Sequence, residues 1–94
     1  MPFRVMFNAE KNILLKESRG INFDDIVEAI NQKNILDDYT HHDSKKYPDQ
    51  RIIVVKINNY AYAAPYVIDF KKEVIFLKTV YPSRVLTKQY LKKK

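Results

Sequence analysis

Arg84, in the string Tyr81-Pro-Ser-Arg84 with Lys88 four residues on, is the side chain best suited to chemistry in this 94-residue chain. A guanidinium keeps its charge at every physiological pH, and its planar fork grips a phosphate through two parallel hydrogen bonds. Pro82 and Ser83 are common at helix starts, so the pattern predicts a helix over 84–92 with Arg84 in its first turn. A cation there is disfavoured by about 0.3–1 kcal/mol. A placement that costs stability points to an anionic ligand. Lys88 and Lys92 follow at four-residue spacing, where like charges repel by about 0.2–0.5 kcal/mol per pair. The competing reading is a solvated helix face with Arg84 paired to an acid such as Asp37 or Asp69.

Proton transfer needs other groups. His41 and His42 are the only histidines, in Tyr39-Thr-His-His-Asp43, and imidazole is the side chain best matched to proton transfer near neutral pH. As a metal site the pair is weak, because neighbouring His side chains diverge and no second ligand group follows at useful spacing. No metal and no cofactor is expected. Tyr81, beside Pro82 and Arg84, can orient a phosphate or relay a proton. Arg51 opens a β-rich run and Lys78 stands among apolar neighbours in another; both, with Lys92, are candidates to add positive charge to a binding face, the alternative for Lys78 being an outward position on a solvated sheet face. Tyr60, Tyr62 and Tyr66 alternate onto one strand face. They serve either as a stacking platform for bases or as half-buried core and partner contact.

The charge is regional. Residues 1–47 carry seven basic and eight acidic side chains, whereas 48–94 carry ten and three. Such a face is the electrostatic footprint of a polyanion, usually nucleic acid. The absence of Cys rules out a disulfide scaffold, thiol catalysis and cysteine metal sites. No phosphate-binding glycine loop, nucleophile elbow or dinucleotide fingerprint is present. No segment approaches the roughly 18 apolar residues of a membrane span, and a cytoplasmic location without membrane partners is expected. The length suits one domain over 1–94.

Local signals then place these residues on elements. Residues 3–7 read as a short strand. Asn8 caps a helix over 9–18 with Ile13 and Leu14 expected inward, and Gly20 supplies a left-handed stop. Asn22, with Asp25 three residues on, caps a second helix whose Phe23, Ile26, Val27 and Ile30 share one side. Residues 35–39 suggest a strand and 40–50 a polar loop. Residues 51–57 and 60–68 are strands joined by Asn58-Asn59, two residues that tolerate positive φ. Pro65 lacks a ladder donor, which predicts an edge strand or a bulge there. Residues 74–80 form the last strand. The expected class is α+β: two N-terminal helices, a four-stranded antiparallel meander and a C-terminal helix.

Three blocks carry a family resemblance. They are Phe7-Asn-Ala-Glu-Lys-Asn12 with Arg19-Gly-Ile-Asn-Phe-Asp-Asp25, then Lys46-Tyr-Pro-Asp-Gln-Arg-Ile-Ile-Val-Val55, and Phe76-Leu-Lys-Thr-Val-Tyr-Pro-Ser-Arg84 with Thr87 and Tyr90. Together they resemble the BrnT-type toxins, a branch of the RelE-like ribonucleases of bacterial type II toxin–antitoxin modules. The family's usual His before the glycine is Arg19 here, and its opening Asp is Asn8. The resemblance implies metal-independent cleavage of RNA, often ribosome-bound mRNA. It also implies a cognate antitoxin, commonly of ribbon-helix-helix type, through which alone the pair would contact operator DNA. In that frame Arg84 would bind the scissile phosphate, with Lys88 and Lys78 adding positive potential and His41, His42 or Tyr81 moving protons. The reading from another class is a non-catalytic basic module that binds nucleic acid or protein.

Overall fold

In a computed structural model of the chain, which describes residues 3–40, 43 and 45–91, local signals set most helix ends. The Asn8 side chain accepts from the backbone N–H of Lys11 at 2.9 Å and opens α1 (Ala9–Arg19). Gly20 closes it with φ at 72°, a left-handed conformation that costs glycine nothing. Asn22 opens α2 (Phe23–Asn31) through a capping box in which the Asn22 and Asp25 side chains satisfy each other's backbone N–H groups.

The strands are β1 (Arg4–Met6), β2 (Ile35–Thr40), β3 (Gln50–Ile57), β4 (Tyr60–Asp69), β5 (Val74–Leu77) and β6 (Tyr81–Pro82), and α3 (Arg84–Leu91) ends the described chain. The architecture is α+β with one mixed sheet in the order β1–β5–β4–β3–β2. This is larger than the four-stranded antiparallel sheet expected. The antiparallel series β2 to β5 runs through its centre, β1 adds a parallel edge on β5, and β6 pairs with β4. Asn58 and Asn59, with φ of 52° and 63°, form the turn between β3 and β4.

Pro65 corrects the expectation of an edge strand or a bulge, since the pairing of β3 with β4 runs unbroken through it. Strand β4 is central, not an edge, yet Pro65 falls where its neighbour breaks. Strand β5 ends opposite Tyr66, β6 begins opposite Ala63, and between them the Lys78 N–H reaches the Pro65 carbonyl at 2.8 Å. The missing proline donor therefore faces an interruption in the ladder. For the same reason the last strand is shorter than the 74–80 predicted.

The two faces of the sheet are covered to different extents and by different means. Leu15, Ile21, Phe23, Ile26 and Ala29 of the paired helices and their junction pack on Ile53, Val55, Ala64, Tyr66, Ile75 and Leu77. Ile13 and Leu14, expected inward, are instead 59% and 62% exposed. At about 100° per residue Leu15 takes the inward position, which turns Ile13 about 200° away. On the opposite face Val54, Ala61 and Ala63 are completely buried. α3 covers them: it starts beside β4, and its Tyr90 hydroxyl donates to the Asp37 carboxylate on β2. Eight residues of helix span about 12 Å, close to the about 14 Å from β6 to β2 across three strand spacings. None of the described helices is long and apolar enough to cross a membrane.

Candidate nucleic-acid interface

The first turn of α3 is fastened to β4 backbone to backbone and side chain to backbone. Ser83 caps the helix, its hydroxyl accepting from Leu86 N–H at 3.1 Å, and its own N–H donates to the Ala61 carbonyl at 3.0 Å. The buried Thr87 hydroxyl accepts from Ala61 N–H at 2.9 Å and donates to the Ser83 carbonyl at 2.7 Å. The serine and threonine thus hold Arg84 rigidly at the helix start. Its guanidinium is exposed and makes no hydrogen bond or ion pair among the described residues, so neither Asp37 nor Asp69 neutralises it. Lys88, also exposed, follows one turn along the same side of the helix.

Phenols line the α3 side of the sheet, with Tyr90 at the far end of the helix from Arg84. Tyr39 and Asp37 alternate with Asp38, so they point to the α3 side of β2, as their partners Ile52 and Val54 do on β3. Tyr90 donates to Asp37, and this bond, followed by the bond from Asp38 N–H at 2.7 Å, holds the Asp37 carboxyl below the usual aspartate value. The same bond raises the Tyr90 pKa, with burial second. Tyr39 is raised by burial first, then by the charges of Tyr81 and Asp37, which places Tyr81 within electrostatic reach. An upward shift favours the neutral phenol, so Tyr39 is a hydrogen-bond donor there and a weaker acid than an unperturbed tyrosine. Sequence reasoning misses Tyr39 and Asp37 as site residues. The available signal is their two-residue spacing in a strand that leads into the histidine pair.

Arg51 lies elsewhere. It shares a face with Tyr66, its partner across β3 and β4, on the side of the paired helices. Its Nε donates to the Tyr66 hydroxyl at 3.1 Å and to Asp38 Oδ1 at 3.2 Å, and one terminal nitrogen donates to the Asp38 carbonyl at 3.1 Å. Tyr66 in turn donates to the Asp38 carboxylate at 2.7 and 2.9 Å. Burial, then the hydrogen bond to Asp38, pushes the Tyr66 phenol up to about 12. A guanidinium bound on this scale is committed to structure, and Arg51 lies on the face of the sheet away from α3 and Arg84. Tyr62 and Tyr66 likewise pack with the core, and Tyr60 contacts Tyr62 edge to face at 5.8 Å, so the three do not form an open base platform.

Lys78 sits in the break between β5 and β6, with its ammonium 5.6 Å from the centre of the Phe76 ring. Both line a groove of about 520 Å³ whose other walls are Arg4, Met6, Val67, Asp69, Lys72 and Val74. The two positions where the chain departs from the BrnT pattern have structural work. Asn8 caps α1 as an aspartate does, and Arg19 donates to the Val80 carbonyl, docking the end of α1 onto the segment before β6. His41, His42 and Lys92 lie outside the described residues. Among the described residues no three His, Cys, Asp or Glu side chains gather into a metal site.

The structure therefore places Tyr81, Arg84 and Lys88 at and after the start of α3, sets Tyr90 with Asp37 and Tyr39 where the other end of the helix reaches β2, leaves Lys78 in the break between β5 and β6, and puts Arg51 on the opposite face. Comparison of the chain with protein-family models, with curated proteins and with solved structures returns no match.

Proposed function

We propose that this chain is a metal-independent endoribonuclease with a RelE-like fold, the toxin of a type II toxin–antitoxin module held inactive by a cognate, DNA-binding antitoxin of ribbon-helix-helix type. Its carrying observation is Arg84: an exposed guanidinium without a protein partner among the described residues, fixed at the start of a helix whose first turn is bolted to the sheet. In-line cleavage joins the ribose 2′-oxygen to phosphorus as the bond to the 5′-oxygen breaks, leaving a cyclic phosphate. Arg84 stabilises the charge on the non-bridging oxygens, and such preorganised charge stabilisation commonly lowers a barrier more than any other single effect. Lys88 adds potential. Tyr81 donates a proton to the departing 5′-oxygen. His41 or His42 is assigned by residue type to take the 2′ proton.

The test is incubation of purified protein with RNA in excess chelator, together with its expression with and without the neighbouring gene. New RNA ends that persist in chelator, growth arrest relieved by the neighbour, and an Arg84→Ala loss of about 10²–10³-fold in cleavage are expected. Full cleavage by folded Arg84→Ala protein removes Arg84 from the site.

One observation favours the non-catalytic basic module. Every described group whose pKa is displaced moves away from neutrality: Asp37 down, and Tyr39, Arg51, Tyr66 and Tyr90 up. None is tuned toward neutral pH as a general base is. Intact RNA, with RNA affinity falling steeply in salt as counterions are released, decides for that module.

A further inference from the structure

Open faces of antiparallel sheets are normally polar, and the part of this sheet beyond α3 is not. Register places two rows across it. Arg4, Val74 and Asp69 form one row, and Met6, Phe76 and Val67 the next. Met6 and Phe76 are 44% and 37% exposed, so the second row is an apolar strip that solvent reaches. Arg4, Lys72 and Lys78 stand around it as cations. The acid lining it, Asp69, is turned into its own loop, where its carboxylate accepts from Lys72 N–H at 3.1 Å. The groove is within the size range of small-ligand sites, and it opens on the sheet face that carries Tyr81. Phe76 and Tyr81 lie on the same face, opposite Val67 and Ala63, and the single stretch 76–84 links them.

We infer that this groove is a platform for single-stranded RNA flanking the Arg84 site, with an unstacked base against Phe76 and Met6 and the adjoining phosphates on Lys78, Lys72 and Arg4. The inference rests on the reading of the chain as an RNA-acting protein and names where the strand runs. Three features favour RNA over an acidic amphipathic protein segment. An aromatic ring lines the groove, an ammonium already sits 5.6 Å from the centre of that ring as it does beside a stacked nucleotide, and the groove lies on the same sheet face as Tyr81 and α3.

The test uses a 2′-O-methyl oligoribonucleotide of about twelve residues, which cannot be cleaved, and a 2′-O-methyl trinucleotide that can span only the Arg84 region. The longer oligomer is expected to bind more tightly than the trimer. Phe76→Ala should weaken the longer oligomer by about 5- to 150-fold, the equivalent of about 1–3 kcal/mol for one stacked base. Phe76→Tyr keeps the ring and should retain binding, which separates lost stacking from misfolding. Lys72→Gln should lower the salt slope by about 0.7, one phosphate contact to a single strand. Equal affinities for the two oligomers, or affinity for the longer one indifferent to Phe76→Ala and Lys72→Gln, overturn the platform, and a groove reserved for an acidic protein segment gives that result. The nuclease reading is decided separately, by cleavage of ordinary RNA, so the two can fail independently.

Discussion

The two faces of the sheet treat charge in opposite ways. On the side of α1 and α2, the cation that approaches the core, Arg51, is held by Asp38 and by the Tyr66 hydroxyl, and the rest of the surface is packed hydrocarbon. On the side of α3, a single short helix covers only the strands from β6 to β2, resting on Val54, Ala61 and Ala63 through Thr87 and on Asp37 through Tyr90, and Arg84 and Lys88 stay without partners among the described residues. The first face is built to hold the chain together. The second gives up part of that to keep cations available, and the asymmetry of charge between the halves of the sequence is the outward sign.

The largest expected effect is on the first face. Phe23 is completely buried and stacks on Phe7 at 5.1 Å. Phe23→Ala should cost about 3–5 kcal/mol, measured by chemical denaturation, which is much of the stability of a domain this size. A smaller loss would mean that the paired helices are not the main core. Next, Thr87→Val leaves Ala61 N–H buried without its acceptor. It should cost about 1–3 kcal/mol, and hydrogen exchange should speed selectively in α3. Exchange rising equally on both faces would erase the distinction between them.

The pH dependence sharpens the contrast further. Tyr90→Phe should return the Asp37 carboxyl toward its ordinary value, read by NMR titration. A depressed carboxyl stabilises the fold above the ordinary aspartate value, and that contribution fades as pH falls through the folded value, so the variant should lose less stability in acid than the parent does. At the alkaline end the raised Tyr66 phenol leaves the fold at full strength below about 10, with erosion toward about 12, where Tyr66 should ionise last in an absorbance titration. The smallest expected effect is that of Arg84→Ala. It should leave stability within about 0.5 kcal/mol or raise it slightly, because a cation at a helix start is unfavourable. A clear destabilisation would show that Arg84 is a structural residue after all.

Signals that act within a few residues were legible. Asn8, Asn22 with Asp25, Gly20 and Asn58-Asn59 each determine backbone geometry through their own side chains or their tolerance of positive φ, and the structure uses them so. What depended on distant partners was not. Ile13, Leu14 and Leu15 are all apolar, and which one turns inward is decided by the sheet beneath. The committed state of Arg51 depends on Asp38 and Tyr66, thirteen and fifteen residues away. Pro65 announced a missing donor but not which neighbour would be interrupted. In the candidate site, Arg84, Lys88 and Tyr81 were readable because one short stretch carries them, whereas Tyr39 and Asp37 reach α3 only through folding.

The parallel pairing of β1 with β5 also has a consequence in time. Arg4 lies opposite Val74, and Arg19 at the end of α1 meets the Val80 carbonyl. During synthesis from the N-terminus, β1 and the end of α1 must wait for about sixty to seventy residues before their partners exist. Contacts of such sequence separation are slow to form. Because the same late segment carries Tyr81 and Arg84, a nascent or truncated chain that ends before it has neither a complete sheet nor the Arg84 cation: completion of the fold and assembly of the candidate site are one event.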